Sequence, residues 1–164
     1  MCLPHSLIAA LPAKLTDMTA RSDADTTAGS WAPSALRCMS SLELAPLPTA
    51  ASCARLHAVH VLQEWDLREL AGDAELIVSE LVTNAADASA VLPEWPPITL
   101  RLLANEGAVL IEVWDQSPLN LEARSAGLDA ECGRGLTVVA ALSHRWGCER
   151  AGYHRKVVWA ELTL

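Results

Sequence analysis

The clearest periodic stretch of the chain runs from residue 73 to residue 89. Its apolar residues recur at helical spacing, at Leu76, Ile77, Leu81, Ala85 and Ala88. This spacing keeps them on one side of an α-helix, so the pattern predicts an amphipathic helix over these residues. A second helix is predicted to begin after Thr49, a suitable N-cap residue, and to run to about Trp65.

Strand patterns occur at residues 35–44, 98–104, 108–114 and 154–164, with a further short segment at 147–150. Pro46 and Pro48 end the first strand, because proline cannot donate a hydrogen bond to a sheet. The tight turn Asn105-Glu106-Gly107 joins the second strand to the third and predicts a β-hairpin.

A third helix is predicted to open at Gly133-Arg134-Gly135 and to end near Gly147. The segment before it, residues 116–132, is long and polar, which is typical of a functional lid. Hairpin strands are antiparallel, so the order of elements excludes a doubly wound parallel sheet. It predicts an α+β fold, a two-layer α/β sandwich with helices on one face of a mixed, mainly antiparallel sheet.

The composition supports one domain with a substantial core. The chain has 164 residues, of which 51% are hydrophobic, and its aromatic residues are six Trp and one Tyr with no Phe. Leu, Val, Ala and Ile must therefore fill most of the core. Residues 1–35 are mostly small and polar without periodicity, which predicts a disordered or flexible leader. The folded domain is predicted over residues 36–164.

Charge and cysteine content narrow the class of protein. The net charge of −8 and the pI of about 5.0 argue against a general nucleic-acid binder, which needs a basic face for phosphates. The five cysteines form no CxxC pair, which favours reduced thiols in a cytoplasmic protein. No apolar run approaches the ~20 residues of a membrane helix.

Three polar residues, Glu80, Asn84 and Asp87, fall at helical spacing within the first stretch. One interpretation is a solvated stripe, since most polar positions of an amphipathic helix face water. The other is a metal-nucleotide site. The amide oxygen of Asn84 is a hard ligand suited to Mg²⁺ shared with phosphates, and the carboxylate of Glu80 is placed to accept a proton from an attacking hydroxyl.

Two further features bear on that choice. The first is the pair Gly133 and Gly135 at the start of the third predicted helix. Glycines there let the backbone approach a ligand, and the unpaired N–H groups of the helix end favour a phosphate. Arg134 between them either adds charge or is a solvated loop side chain. Asp115, at the end of a hydrophobic strand, either ends a strand or accepts a hydrogen bond from an amine such as adenine N6.

The order of these motifs along the chain is more specific than any one of the motifs alone. ELVTNA on a helix, a strand ending in VWD, a lid, GRGL opening a helix and a closing VVWAEL strand follow one another in this order. This order resembles the GHKL ATP-binding superfamily with its Bergerat fold. Within that superfamily it is similar to the small bacterial anti-sigma-factor serine/threonine kinases, especially the single-domain actinobacterial type. The resemblance covers about residues 36–164.

The resemblance implies a role for each helix and strand candidate. Glu80 would be the catalytic general base and Asn84 the ligand of Mg²⁺ that is bound with ATP. Asp115 would accept a hydrogen bond from the adenine amine, directly or with a water. Asp87 matches a position near the adenine or its water in some members.

It also implies how the phosphates and the partners are bound. Gly133, Gly135 and the amide of Leu136 would cradle the phosphates, with Arg134 beside them. The protein would hold a sigma factor and transfer the γ-phosphate of ATP to a serine or threonine of an antagonist protein, which regulates transcription by partner switching. Homodimers are a further expectation from the family, and direct contact with nucleic acid or membrane is not expected.

The sequence departs from the family pattern at three places. Ala88 stands where a histidine is frequent, Gln116-Ser117-Pro118 replaces a loop richer in glycine, and Val157 replaces a threonine that supports adenine. A missing neutral hydrogen bond costs about 1–3 kcal/mol, which corresponds to ATP affinity lower by roughly ten- to a hundredfold.

These departures leave an alternative to the kinase. A non-catalytic switch would use ATP or ADP only to set the lid and thereby the affinity for a protein partner. A catalytic fragment of a histidine kinase fits less well, because no helical hairpin for dimerisation is predicted before the domain and the lid is short for that class of protein.

Overall fold

Five strands form one sheet in the computed structural model, which describes Trp31 and residues 35–117, 133–150 and 155–164. The strands are β1 (Cys38–Leu44), β2 (Ile98–Asn105), β3 (Ala108–Asp115), β4 (Arg145–Arg150) and β5 (Lys156–Thr163). Their order across the sheet is β1-β2-β3-β5-β4, and every neighbouring pair is antiparallel. The predicted α+β fold is therefore confirmed, with an antiparallel sheet throughout the described strands.

The described helices are α1 (Ala50–Glu64), α2 (Ala71–Ala90) and α3 (Gly133–Leu142), with a 3₁₀ turn (Arg68–Leu70) before α2. α2 is the central helix and packs against α1, α3 and strands β2, β3 and β5. The bounds of α1 and α2 agree with the predicted helices to within two residues. None of the helices in the described part of the chain is long and apolar enough to cross a bilayer.

The core lies between the sheet and the helices. On β2, Ile98, Leu100 and Leu102 are fully buried, and they alternate with residues on the other face as a strand requires. The buried stripe of α2 is wider than predicted because α1 and α3 flank the helix on both sides. Ala74, Val78 and Val82 join it, whereas Leu76, which was predicted on the apolar side, is 51% exposed.

The predicted end of the third helix was wrong. α3 ends at Leu142, and the next strand begins at Arg145 rather than near Gly147. The backbone N–H and the hydroxyl of Ser143 both donate to the carbonyl of Val139, which closes the last turn. The N–H of His144 then donates to the carbonyl of Glu161 on β5, so from this residue onward the backbone hydrogen bonds are made within the sheet.

The face of the sheet opposite the helices has a small core of its own. Trp31 is 2% exposed and packs with Leu103 and Leu110. Its indole N–H donates to Glu161 Oε2 at 2.6 Å, and the Arg145 guanidinium lies 2.7 Å from the same oxygen. Within the predicted leader the structure describes only Trp31 and Ala35, and Trp31 is part of the folded domain.

Three of the five cysteines lie in the described part of the chain. None of Cys38, Cys53 and Cys148 forms a disulfide. Cys2 and Cys132 lie outside the described residues.

Candidate functional site

The rotation of α2 is fixed by its buried stripe, and this rotation places the polar candidates. Ile77 and Leu81 are buried on the sheet side. Glu80 is half-buried and Asn84, one turn later, is exposed. Residues four apart lie one above the other on a helix, so their side chains share one side of α2.

The first turn of α3 comes against these two side chains at Gly135. A Cβ at this glycine would overlap Glu80 Oε2 and would lie 3.6 Å from Asn84 Nδ2. Any side chain there would have to displace the carboxylate. The absence of a side chain therefore lets the backbone of α3 approach α2, and it brings together Glu80, Asn84 and the glycine segment that the sequence predicted as one site.

This approach places backbone donors at the site. Residues 133–136 are the first turn of α3, so Gly133, Arg134, Gly135 and Leu136 lie where a helix has no internal partners for its N–H groups. The N-terminal end also carries about +0.5 of an elementary charge. Leu136 packs its side chain against the main core and anchors the turn. The side chain of Arg134 lies outside the described part of the chain.

Asp115 occupies the end of β3 on the face that packs against the helices. It continues the alternation of Val109, Ile111 and Val113, which are buried in the core, and it is 1% exposed. The backbone N–H of Ser117 donates to its Oδ1 at 2.7 Å, and the Ser117 hydroxyl donates to the same oxygen. The carboxylate is therefore held by its own strand end.

The second oxygen of this carboxylate is differently placed. Oδ2 is buried and has no hydrogen-bond partner within the described residues. Among the described residues Lys156 forms an ion pair with it, with Nζ 3.5 Å from Oδ2, which is longer than an ordinary hydrogen bond. Since no described group donates a hydrogen bond to it, Oδ2 can accept one from a ligand N–H.

Sequence reasoning missed two residues of this cluster. Ser117 belongs to the loop Gln116-Ser117-Pro118, which departs from the family pattern, yet it orients the carboxylate of Asp115. Lys156 lies directly across from Asp115 in the β3–β5 register and donates to Ser117 Oγ at 2.7 Å. Only the cross-strand register reveals Lys156, because it is 41 positions away in the chain.

Val157 does not take the place that the family pattern gave it. It pairs with Trp114, one step out of phase with Asp115, so its side chain lies on the opposite face of the sheet. Asp87 is exposed on α2, three residues beyond Asn84. Apart from Gln116 and Ser117, the predicted lid lies outside the described residues.

The donor set fits a magnesium ion that is shared with a nucleotide. Within the described ranges no three His, Cys, Asp or Glu side chains come together as metal ligands. Mg²⁺ needs no such cage, because it keeps several waters and takes few protein oxygens together with substrate phosphates. Asn84 is exposed and lies beside Gly135 in the first turn of α3, so it can offer one amide oxygen of this kind.

Comparison with known sequences covers the whole of this site. The family model of the histidine kinase-like ATPase domain matches residues 44–161. The match includes α2, the end of β3, the first turn of α3 and the first six residues of β5. A search of curated proteins finds no significant match.

Proposed function

The chain belongs to the family of histidine kinase-like ATPase domains, and from this premise we propose that it binds Mg-ATP between α2 and α3 and phosphorylates a partner protein. The observation that carries the proposal is the contact of Gly135 with Glu80 and Asn84. It brings Glu80, Asn84 and the first turn of α3 to one place, which supports the roles proposed for them.

Each group has a defined task in this reaction. The N–H groups of residues 133–136 bind the phosphate oxygens. Asn84 would hold Mg²⁺, and the ion would supply positive charge to the phosphates. The serine or threonine oxygen of the partner forms a bond to the γ-phosphorus as the bond from phosphorus to the ADP oxygen breaks. Glu80 accepts the hydroxyl proton, and ADP leaves.

Recognition of the adenine ring is assigned to Asp115. Its Oδ2 is the buried oxygen without a donor, and an adenine amine would supply one. Oδ1 already accepts two hydrogen bonds from Ser117, so the carboxylate is oriented before the nucleotide arrives.

The partner is proposed from the resemblance to anti-sigma-factor kinases. A sigma factor would be the protein that is held, and an antagonist protein would be the phosphate acceptor, in the cytoplasm. The net charge of −8 is consistent with a protein partner that presents a basic surface.

The first test is thermal unfolding with and without Mg-ATP. A ligand that binds only the native state stabilises it by RT ln(1 + [L]/Kd), about 2.7 kcal/mol at a hundred times Kd. We expect the melting temperature to rise for the wild type only when Mg²⁺ is present, and the rise to be lost in Asn84→Ala. Leu76→Ala, an exposed change on the same helix, is the control and should keep the shift. No rise at millimolar Mg-ATP would refute nucleotide binding.

A second prediction concerns the close approach of α3. Gly135→Ala should lower the rate of phosphoryl transfer about a hundredfold, because the new methyl group displaces the Glu80 carboxylate and a shift of about 1 Å is enough for such a loss. The free energy of unfolding should change little, since the Glu80 side chain can move. Single-turnover transfer and urea unfolding measure the two effects.

Gly72→Ala is the matched control for this substitution. Gly72 lies on α2, and a Cβ there would meet nothing within 4 Å. The change should leave transfer unaltered and stabilise the fold by about 0.4–1 kcal/mol. Equal transfer rates in the two alanine variants would contradict the role of the Gly135 contact.

A further inference from the structure

The Asp115–Lys156 pair places an acceptor and a donor side by side at the end of the site. We propose that Lys156 reads the base of the nucleotide, donating a hydrogen bond to N1 of adenine while Asp115 Oδ2 accepts one from N6. The inference rests on the proposed ATP site, and it adds a residue that determines which base is bound.

The geometry of Lys156 supports this role. Its side chain is 19% exposed, and its ammonium has three N–H donors. One donor goes to Ser117 Oγ at 2.7 Å. At 3.5 Å from Oδ2, the ammonium lies beside the oxygen without forming a hydrogen bond to it. A donor is therefore held next to an acceptor, and both lie on the helix side of the sheet.

Adenine presents the complementary pair on adjacent atoms. Its N6 amino group is a donor and the neighbouring N1 is an acceptor. The carboxylate oxygen matches the amine and the ammonium matches N1, so one edge of the base satisfies both side chains. A hydrogen bond to a charged donor is stronger than one to a neutral group, so the ammonium of Lys156 is a strong donor for N1.

Guanine does not fit in the same orientation. Its O6 is an acceptor and would face the carboxylate. Its N1 carries a proton and would face the ammonium. Both contacts are repulsive, so the pair discriminates by mismatch as well as by attraction.

A competing role for Lys156 is to balance the charge of Asp115 without touching the base. The two roles differ in one respect. A charge-balancing lysine affects every nucleotide that uses Asp115 equally, whereas a lysine that donates to N1 distinguishes ADP from 1-deaza-ADP, in which a C–H replaces N1.

The test is calorimetric titration of the full chain with ADP, 1-deaza-ADP and GDP in the presence of Mg²⁺. For the wild type we expect ADP to bind about ten- to a hundredfold more tightly than 1-deaza-ADP, as loss of a hydrogen bond to a charged donor implies. GDP should bind more weakly than 1-deaza-ADP. In Lys156→Met the ratio of the affinity for ADP to the affinity for 1-deaza-ADP should fall to about one.

Two further variants make the result decisive. Arg155→Met removes the neighbouring cation, whose guanidinium lies 5.3 Å from the Trp114 ring centroid, and should keep the wild-type ratio. Lys156→Gln keeps a donor for Ser117 but loses the charge, and it should narrow the ratio to a few-fold even if Lys156→Met does not fold.

Each other outcome overturns a stated claim. Equal affinities of the wild type for ADP and 1-deaza-ADP refute the contact to N1 while leaving the nucleotide site intact. An unchanged ratio in Lys156→Met or Lys156→Gln assigns N1 to another group. No binding of ADP to the wild type refutes the proposed function itself, and the inference falls with it.

Discussion

Glu80→Gln is expected to lower the rate of phosphoryl transfer by about 10²–10⁴, the contribution of a positioned general base. The amide has the size and shape of the carboxylate, so the contact with Gly135 is retained. It cannot take up the proton of the attacking hydroxyl. Because Glu80 is proposed to act in the chemical step, the thermal shift with Mg-ATP should stay close to that of the wild type.

Glu75→Gln is the matched control for this variant. Glu75 lies on the same helix, but it is exposed and its carboxylate faces Arg55 at 3.9 Å. Transfer of the γ-phosphate from radiolabelled ATP to the acceptor protein should be unaffected there. A Glu80→Gln protein as active as the wild type would mean that another group is the base. A wild type that binds Mg-ATP but transfers no phosphate to any antagonist would favour the non-catalytic switch.

Trp31→Ala is expected to destabilise the domain by about 3 kcal/mol or more, within the range of 3–5 kcal/mol for truncation of a buried tryptophan. The indole covers Leu103 and Leu110 and fills the small core on the outer face of the sheet. Its removal exposes these side chains and takes away one donor to Glu161, which is 5% exposed. Typical domains have 5–15 kcal/mol of stability in total, so the loss is a large fraction of it.

Two companion variants separate the causes of this loss. Trp31→Phe keeps most of the apolar contact and removes the N–H donor to Glu161, for an expected cost of about 1–3 kcal/mol. Trp95→Ala truncates a tryptophan that is 59% exposed and should change stability by less than about 0.5 kcal/mol. Chemical unfolding of the three proteins gives these values. A loss below 1 kcal/mol in Trp31→Ala would show that Trp31 is not part of the folded domain.

Elements defined by short-range patterns were predictable from the sequence. The repeat of apolar residues gave α2, because helical periodicity depends on residues three and four apart. The two apolar runs around Gly107 gave the β2–β3 hairpin, whose turn has a positive φ of 82° at that glycine. Glu80 and Asn84 were found for the same reason, since their proximity is a property of one helix.

Other features depend on contacts between distant parts of the chain, and only the tertiary structure decided them. The predicted end of α3 was wrong because the N–H of His144 bonds to β5 and not to a carbonyl of the helix. The sequence places Trp31 in the leader because its buried partners Leu103 and Leu110 are 72 and 79 positions away. Lys156 was missed because strand register, not sequence spacing, puts it opposite Asp115. The sequence thus determined which residues each element offers to the site, while the packing of elements determined which of them meet.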